Sequence, residues 1–457
     1  MFVEGEGVVS ALPLADAIAA RDEHACAAWL AASQGVEAVR VLARLSDAER
    51  EDLLGLLTPA EAAEVIEAIP EPQAVDAIEH LNPQTAARII EELPSDEQAD
   101  LIGELPSEEA EAILGELDQD EAEGVRRLAA YEDDEAGGLM ITEYLSYLAQ
   151  ASVAEVLKDL GENAERYQDY DIQYAYVTGA NGSLEGVLPL RSLLLSPRAR
   201  KVGELMTPSV KHVSADTSIS ELASLFREAP FMGLPVVSES GQLIGVVRRG
   251  RLEHALAEEA DETYRSSQGI VGGEELRSMP MLQRSGRRLA WLSVNIVLNV
   301  AAASVIAINQ DTLEEVIALA VFLPIISDMS GCSGNQAVAV SMREIALGVV
   351  RPSDVLRVLG KELGVGLING LVLGALIGCA AFAWQGNPYL GLIVGAALAI
   401  NTVFAVVLGG TIPLVLKRFG LDPALASGPI LTTVTDMCGF ALVLGFASLA
   451  LGKLGGI

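Results

Sequence analysis

The sequence predicts a multidomain membrane protein: an all-α helical-repeat domain, an α+β domain built from two alike halves, a connecting helix and a five-helix transmembrane domain. Three observations predict it, namely charge segregated along the chain, an acidic 12-residue repeat near its start, and five long apolar stretches near its end. The 457 residues carry 63 Asp/Glu against 30 Lys/Arg, although 51% of them are hydrophobic. Residues 1–276 hold 54 of the acids and 19 of the bases, a net charge of −35, whereas residues 277–457 hold 9 and 11, a net charge of +2. An acidic half is therefore joined to an apolar half. At roughly 100 to 200 residues per domain, the length allows three or more units, each able to bury a core. The acidic half lacks the clustered Lys/Arg that phosphate neutralisation needs, which argues against nucleic acid and points to cations as ligands. Cys26, Cys332, Cys379 and Cys438 show no CxxC spacing, so neither a disulfide framework nor a zinc site is expected. The opening MFVEGEGVVSALPLADAIAA has acids where a signal or transit peptide needs Lys/Arg, and the acidic half is expected to stay in the cytoplasm.

Residues 1–130 form the first expected domain. Between Thr58 and about Leu128 the chain repeats every 12 residues, as in PEPQAVDAIEHL, NPQTAARIIEEL, PSDEQADLIGEL and PSEEAEAILGEL. Each unit reads as a short helix with Pro at or near its first position, acids at the positive end of its dipole, and one apolar face. Such units cannot bury their faces alone, so they should stack into a helical coil. The acids are either its solvated outer face or ligands for divalent cations at a contact with another domain.

From about Tyr131 short β-branched and aromatic strands alternate with helices. YAYVTGANGSLEGVLPLRSLL (174–194) and GLPVVSESGQLIGVVRRGRLEHAL (233–256) each read as strand, polar Gly turn, strand and helix, with Asn181-Gly182 and Ser240-Gly241 as turn signals. A helix precedes each, SVAEVLKDL (152–160) and SISELASLF (218–226). The segment KVGELMTPSVKHVSADTSISELASLFREAPFMGLPVV resembles the second member of a CBS-domain pair, so residues 131–256 are assigned to an α+β CBS-domain pair, a kind of regulatory module that often holds adenine nucleotides. Residues 257–284 then read as a connecting, plug-type helix with a Gly272-Gly273 break.

Residues 285–457 are the expected transmembrane pore domain. Apolar stretches at about 287–308, 313–340, 358–384, 389–416 and 425–451 are each long enough to cross a hydrocarbon core of roughly 30 Å. Arg284, Arg287 and Arg288, then Arg343, Arg351, Arg357 and Lys361, then Lys417 and Arg418 mark one side; the opposite loops carry Asp311, Glu314 and Glu315, with Lys453 near the C-terminus. By the positive-inside rule the N-terminus is cytoplasmic and the C-terminus external, which an odd number of spans allows. The chain is thus expected in the cytoplasmic (inner) membrane, in contact with lipid.

Two ionisable groups stand well inside these spans, Asp328 on the second and Asp436 on the fifth. An intramembrane carboxylate costs a few kcal/mol and needs a partner or a water-filled path. No Lys or Arg lies at comparable depth, which leaves a mobile cation or a protonated Asp bonded to a nearby Ser or Thr as the resolutions. Pro324, Gly331 and Gly334 on span two and Gly428-Pro429 on span five are expected to interrupt the helices and free carbonyls towards a cavity. Asn335, Gln336, Thr432, Thr433 and Thr435 add neutral oxygens, and the membrane half contains no His. An all-oxygen set suits a hard ion such as Mg2+, although Gly, Ser and Thr equally serve ordinary helix packing in lipid.

The order of parts, with EDDEAGGLM opening the CBS pair, FLPIISDMSGCSGNQ on span two and LDPALASGPILTTVTDMCGF on span five, resembles the MgtE family of magnesium channels. The resemblance implies a homodimer with one ion path along its axis, with Asp436 as the ion-binding aspartate, Asn335 as the pore asparagine and Thr432 lining the site through its carbonyl; Asp328 joins them as a metal candidate. It implies that magnesium bound between cytosolic acids holds the channel closed, with Glu259 and Glu262 among the ligands, and that Tyr174, Arg191 and Phe231 contact ATP. Cys332 stands where the family has Asn, Ser192 where it has Asp, and Ser218, Ser220, Pro230, Arg251 and His254 where acids are typical. Losing those charges should weaken magnesium sensing, and an Arg would repel a cation. The leading expectation is magnesium uptake gated by cytosolic Mg2+ and by ATP; the alternatives are an importer of Mn2+, Co2+ or another divalent metal, or a membrane-anchored CBS sensor that conducts nothing. No enzyme is expected, since the chain has no Gly-rich phosphate loop and no nucleophile beside a His.

Overall fold

The repeat is built by its caps. In a computed structural model, which describes residues 11–454 apart from 34–35, 165, 168–169, 171–172, 271–274, 276 and 278, three helices, α1 (Ala11–Ala20), α2 (Glu23–Ala32) and α3 (Val36–Leu42), lead into the repeat. The helices α4 (Asp47–Leu56), α5 (Pro59–Ala68), α6 (Glu71–His80), α7 (Pro83–Ile90), α8 (Ser95–Glu104), α9 (Ser107–Leu114) and α10 (Gln119–Leu128) each begin 12 residues after the one before. The repeat therefore starts one unit earlier than Thr58, at Ser46, where a Ser cap replaces Pro and hides the pattern. Ser46 with Glu49 and Thr58 with Glu61 close reciprocal capping boxes, which satisfy backbone N–H groups that the first turn leaves unpaired. Pro70, Pro94 and Pro106 occupy the cap position itself rather than the first helical turn.

An apolar pair recurs in register, Leu53–Leu54, Val65–Ile66, Ala77–Ile78, Ile89–Ile90, Leu101–Ile102 and Ile113–Leu114, and all twelve side chains are buried. Every second helix packs on the next, α4 on α6, α5 on α7, α6 on α8, α7 on α9 and α8 on α10, which gives two interleaved stacks around this core. Arg50 is buried between two of them, donating to the carbonyls of Leu45 and Gln73, both at 3.2 Å.

After the short helix α11 (Ala136–Leu139) come two four-stranded sheets. One has the order β2-β3-β4-β5, from β2 (Leu145–Leu148), β3 (Tyr174–Thr178), β4 (Leu184–Pro189) and β5 (Thr207–Pro208); the other has the order β1-β8-β7-β6, from β1 (Met140–Ile141), β6 (Val213–Ser214), β7 (Gly233–Val237) and β8 (Leu243–Arg248). Each half repeats one plan. A strand leads through a helix, α12 (Val153–Glu162) or α14 (Ile219–Glu228), to a parallel neighbour, and that neighbour turns back as a hairpin. Gly182 and Gly241 take φ of +81° and +77° at the hairpin turns, a region where a side chain is strained. The two tips meet: Leu184 N–H donates to Gly241 C=O and Leu243 N–H to Gly182 C=O, each at 3.1 Å. Strand β1 precedes the first half in sequence yet pairs with the second, which its two-residue length kept hidden. Helix α13 (Leu190–Leu194) closes the first half, and α15 (Arg249–Ser267) begins in the second half and continues past residue 257, while the expected Gly272-Gly273 break lies outside the described residues.

Among the described residues the membrane unit contains five helices long and apolar enough to cross a bilayer, spanning Met281–Ile308, Ile317–Ala346, Pro352–Gln385, Pro388–Arg418 and Ser427–Leu449. Here α16 is Met281–Ile308, α17 the short Gln310–Glu315, α18 Phe322–Ala346, α19 Val355–Gln385, α20 Pro388–Arg418 and α21 Pro423–Leu449. The expected breaks are absent, since α18 runs through Gly331 and Gly334 and α21 through Gly428-Pro429. Pro324 lies in the first turn of α18, where its missing N–H removes no helical bond. The glycines serve contact instead. A Cβ on Gly334 would come within 3.0 Å of the Ala405 carbonyl on α20, and Gly366, Gly370, Gly374 and Gly378 bring α19 against the backbone of α20.

Candidate functional site

Asp436 sits midway along α21 and is buried, 8% exposed. Ser327 of α18 donates its hydroxyl to Asp436 Oδ1 at 2.5 Å, the kind of contact to a nearby Ser expected above. Beside it, the wholly buried Asn401 of α20 donates from Nδ2 to Ser330 Oγ at 2.6 Å and to the Thr435 carbonyl at 3.0 Å, while Ser330 donates to the Ile326 carbonyl. Gly439, one turn after Thr435, makes room, since a Cβ there would come within 2.7 Å of Asn401 Nδ2. Among the described residues Asp436 has no ion pair.

The other expected oxygens divide between a buried and an exposed face. Asp328, Cys332, Asn335 and Gln336 are all exposed and fall on one face of α18 at helical spacing, and Thr432 is exposed one turn before Asp436 with its carbonyl accepting the Thr435 hydroxyl at 3.0 Å. Polar groups at membrane depth do not face lipid without cost, so this face requires water or another protein surface. Among the described residues no three His, Cys, Asp or Glu gather as a metal cluster. One carboxylate with neutral oxygens is too few ligands to replace the shell of an ion that sheds water as reluctantly as Mg2+. Ser327, Asn401 and Glu362 do not stand out in the sequence; Glu362 is a further acid within a span and packs on Gly410 of α20. A lone Asn in GAALAINTVFAVV was the available signal for Asn401, because an amide inside an apolar span needs partners.

A second cluster of carboxylates lies in the N-terminal unit, where the repeat domain meets the CBS pair. Asp96 is 1% exposed; Arg251 Nε stands 3.3 Å and an Arg248 guanidinium nitrogen 3.7 Å from it, and Arg251 also pairs with Asp100. Burial raises the Asp96 carboxyl against the pull of both arginines, and raises Glu97 and Asp100 to about 7. Next to them Ser95 donates its hydroxyl to Glu143 at 2.7 Å and accepts from Thr142 N–H at 2.9 Å. Arg251, expected to repel a cation, is thus itself the cation between two carboxylates. Ser218 caps α14, receiving the Glu221 N–H at 3.4 Å, while Glu259 and Glu262 are exposed on α15. A cleft between the two sheets is lined by Tyr144, Tyr174, Tyr176, Met232, Glu143 and Arg248 among others. Of the three expected nucleotide contacts only Tyr174 lines it. Phe231 offers its carbonyl to Arg249 Nε at 2.8 Å, and Arg191 is exposed on α13.

Residues 323–446 match the MgtE family, described as divalent cation transporters, residues 34–134 the MgtE intracellular N domain, and residues 202–258 the CBS domain. The magnesium transporter MgtE of Thermus thermophilus is 36% identical over 333 residues, 72% of each chain, and that of Bacillus subtilis 31% identical over 329 residues, 71% of each. The chain belongs to the MgtE family. A crystal structure of the soluble part of a magnesium transporter matches 55% of this chain and 98% of its own length with a TM-score of 0.50 at 24% identity, which supports the fold of the N-terminal unit. Within the MgtE frame Asp436 is the buried acid of the matched membrane segment, and Arg251 lies in the matched CBS segment.

Proposed function

We propose that this chain carries Mg2+ across a cytoplasmic membrane as a homodimer, with the ion passing Asp436 and the cytosolic half acting as gate. The observation that carries the reading is a buried intramembrane carboxylate that, among the described residues, meets a hydroxyl and no base. The exposed polar face of Asp328, Cys332, Asn335 and Thr432 suits the wall of a path completed by a second copy, and its ligands suit an ion that keeps most of its water. The run of Arg and Lys at the ends of the spans favours a cytoplasmic N-terminus.

Cytosolic magnesium closes the gate more weakly here than in relatives with acids throughout, because Arg251 already pairs with Asp96 and Asp100, while Glu259 and Glu262 remain as open ligands on α15. An adenine nucleotide in the cleft between the sheets would meet Tyr174 and Arg248. Uptake into proteoliposomes tests the reading, comparing Mg2+ with Mn2+ for wild type and Asp436→Ala at low and high magnesium on the cytosolic face. Magnesium uptake lost in the variant supports the path at Asp436. Wild type that carries neither ion under any condition removes the transport reading.

A further inference from the structure

The hydroxyl of Ser327 lies 2.5 Å from Asp436 Oδ1, so one of the two carboxylate oxygens is already engaged by the protein. A carboxylate capped in this way presents a single open oxygen. It can accept hydrogen bonds from the water shell of an ion, but it is a poor bidentate clasp for an ion stripped of water. Magnesium holds its waters tightly, whereas a metal that exchanges them more readily gains from direct ligation by carboxylate. We infer that Ser327, kept in register by Asn401, caps Asp436 and thereby sets the preference of the path for hydrated magnesium over metals that bind carboxylate directly.

Asn401 supplies the register. Its side-chain orientation is fixed by chemistry: the Thr435 carbonyl can only accept, so the atom facing it at 3.0 Å is the amide nitrogen. The same nitrogen reaches Ser330 Oγ at 2.6 Å, and Ser330 in turn holds the Ile326 carbonyl, next in sequence to Ser327. One amide thus joins α18 and α21 beside the two residues that form the cap. Asn401 is a positioning residue, since it acts through its neighbours, and its own Oδ1 has no hydrogen-bond partner among the described residues.

The inference rests on the proposed ion path at Asp436, and the experiment separates the two. Uptake of Mg2+ and Mn2+ is measured in proteoliposomes holding the full chain as wild type, Asp436→Ala, Ser327→Ala, Ser327→Thr and Asn401→Leu. Ser327→Ala is expected to raise the ratio of Mn2+ to Mg2+ uptake about tenfold, the scale of a hydrogen bond to a charged group. Ser327→Thr, which keeps the hydroxyl, holds the wild-type ratio, and Asn401→Leu raises it by a smaller factor. Unchanged uptake in Asp436→Ala overturns the path. If Asp436→Ala is dead and Ser327→Ala keeps the wild-type ratio, the cap is overturned while the path stands. Equal loss of both ions in Asn401→Leu overturns its positioning role. Should Ser327→Ala fail to fold, Ser327→Cys, a weaker donor, must still shift the ratio, and an unshifted ratio there also overturns the cap.

Discussion

Two groups of buried carboxylates in this protein meet opposite fates. Asp96 and Asp100 in the N-terminal unit are held by Arg251, with Arg248 close to Asp96, whereas Asp436 in the membrane unit receives, among the described residues, only a hydroxyl. Burial opposes ionisation of a carboxylate, and the charge must be met, removed or lost to a proton. Where the chain supplies its own cation, the carboxylate fastens two domains. Where it supplies none, the carboxylate is open to the transported cation that we propose passes it. The contrast also gives Arg251 a physical meaning: a tethered guanidinium between Asp96 and Asp100 leaves a free divalent ion little to add there.

The change with the largest expected effect breaks the built-in pairing. Arg251→Met leaves Asp96 buried without its nearest counter-charge and should destabilise the N-terminal unit by about 3–5 kcal/mol. A denaturant midpoint for that unit unchanged from wild type would show that the arginine is not its clamp. Arg251→Asp sharpens the comparison, because it replaces the tethered cation with a ligand. Magnesium should protect this variant from proteolysis more than it protects wild type, and equal protection would disconnect Arg251 from sensing.

Next in size is an overpacking change in the membrane frame. Gly370→Leu forces a side chain into the Ala399 backbone of α20 and should cost about 1–3 kcal/mol, read as a lower thermal midpoint of the detergent-purified chain. The pH dependence of the contact in the N-terminal unit follows with its sign fixed. Glu97 and Asp100 are raised from ordinary carboxyl values to about 7, so the folded contact binds protons more tightly than the unfolded chain. Its stability is fully present below pH about 4 and is lost as pH rises towards about 7, with Glu67, Glu71 and Asp133 adding to the repulsion. Denaturation of the N-terminal unit at pH 5.5 and 8 should show the tighter contact at the lower pH. The smallest effect belongs to an exposed carboxylate that neither pairs with a base nor waits for one. Thr58→Ala opens the capping box with Glu61 and should cost about 1 kcal/mol while leaving ion uptake unchanged.

Much of this was legible in the chain because it is local. A 12-residue period with caps and a buried apolar pair per unit announces helices one by one, and five apolar stretches announce spans by length alone. What stayed hidden depends on partners far apart in sequence. Arg251 meets Asp100 across 151 residues, so its sign was visible and its counter-ion was not. Gly331, Gly334 and Pro429 looked like helix breaks, but a glycine's role in a span depends on the backbone it meets, and Gly334 meets α20. Asp436 was readable as a costly charge. The Ser327 hydroxyl that caps it is 109 residues away, and Asn401 was one amide among apolar neighbours.

The most direct test of the central claim is magnesium uptake by proteoliposomes carrying Asp436→Asn. The substitution keeps the shape of the side chain and an oxygen for Ser327, and it removes only the charge. Uptake falling to the level of empty vesicles is the predicted result for the proposed ion path, which depends on the negative charge of Asp436. Uptake equal to wild type would contradict the account, placing the ion path elsewhere and leaving Asp436 as a structural group.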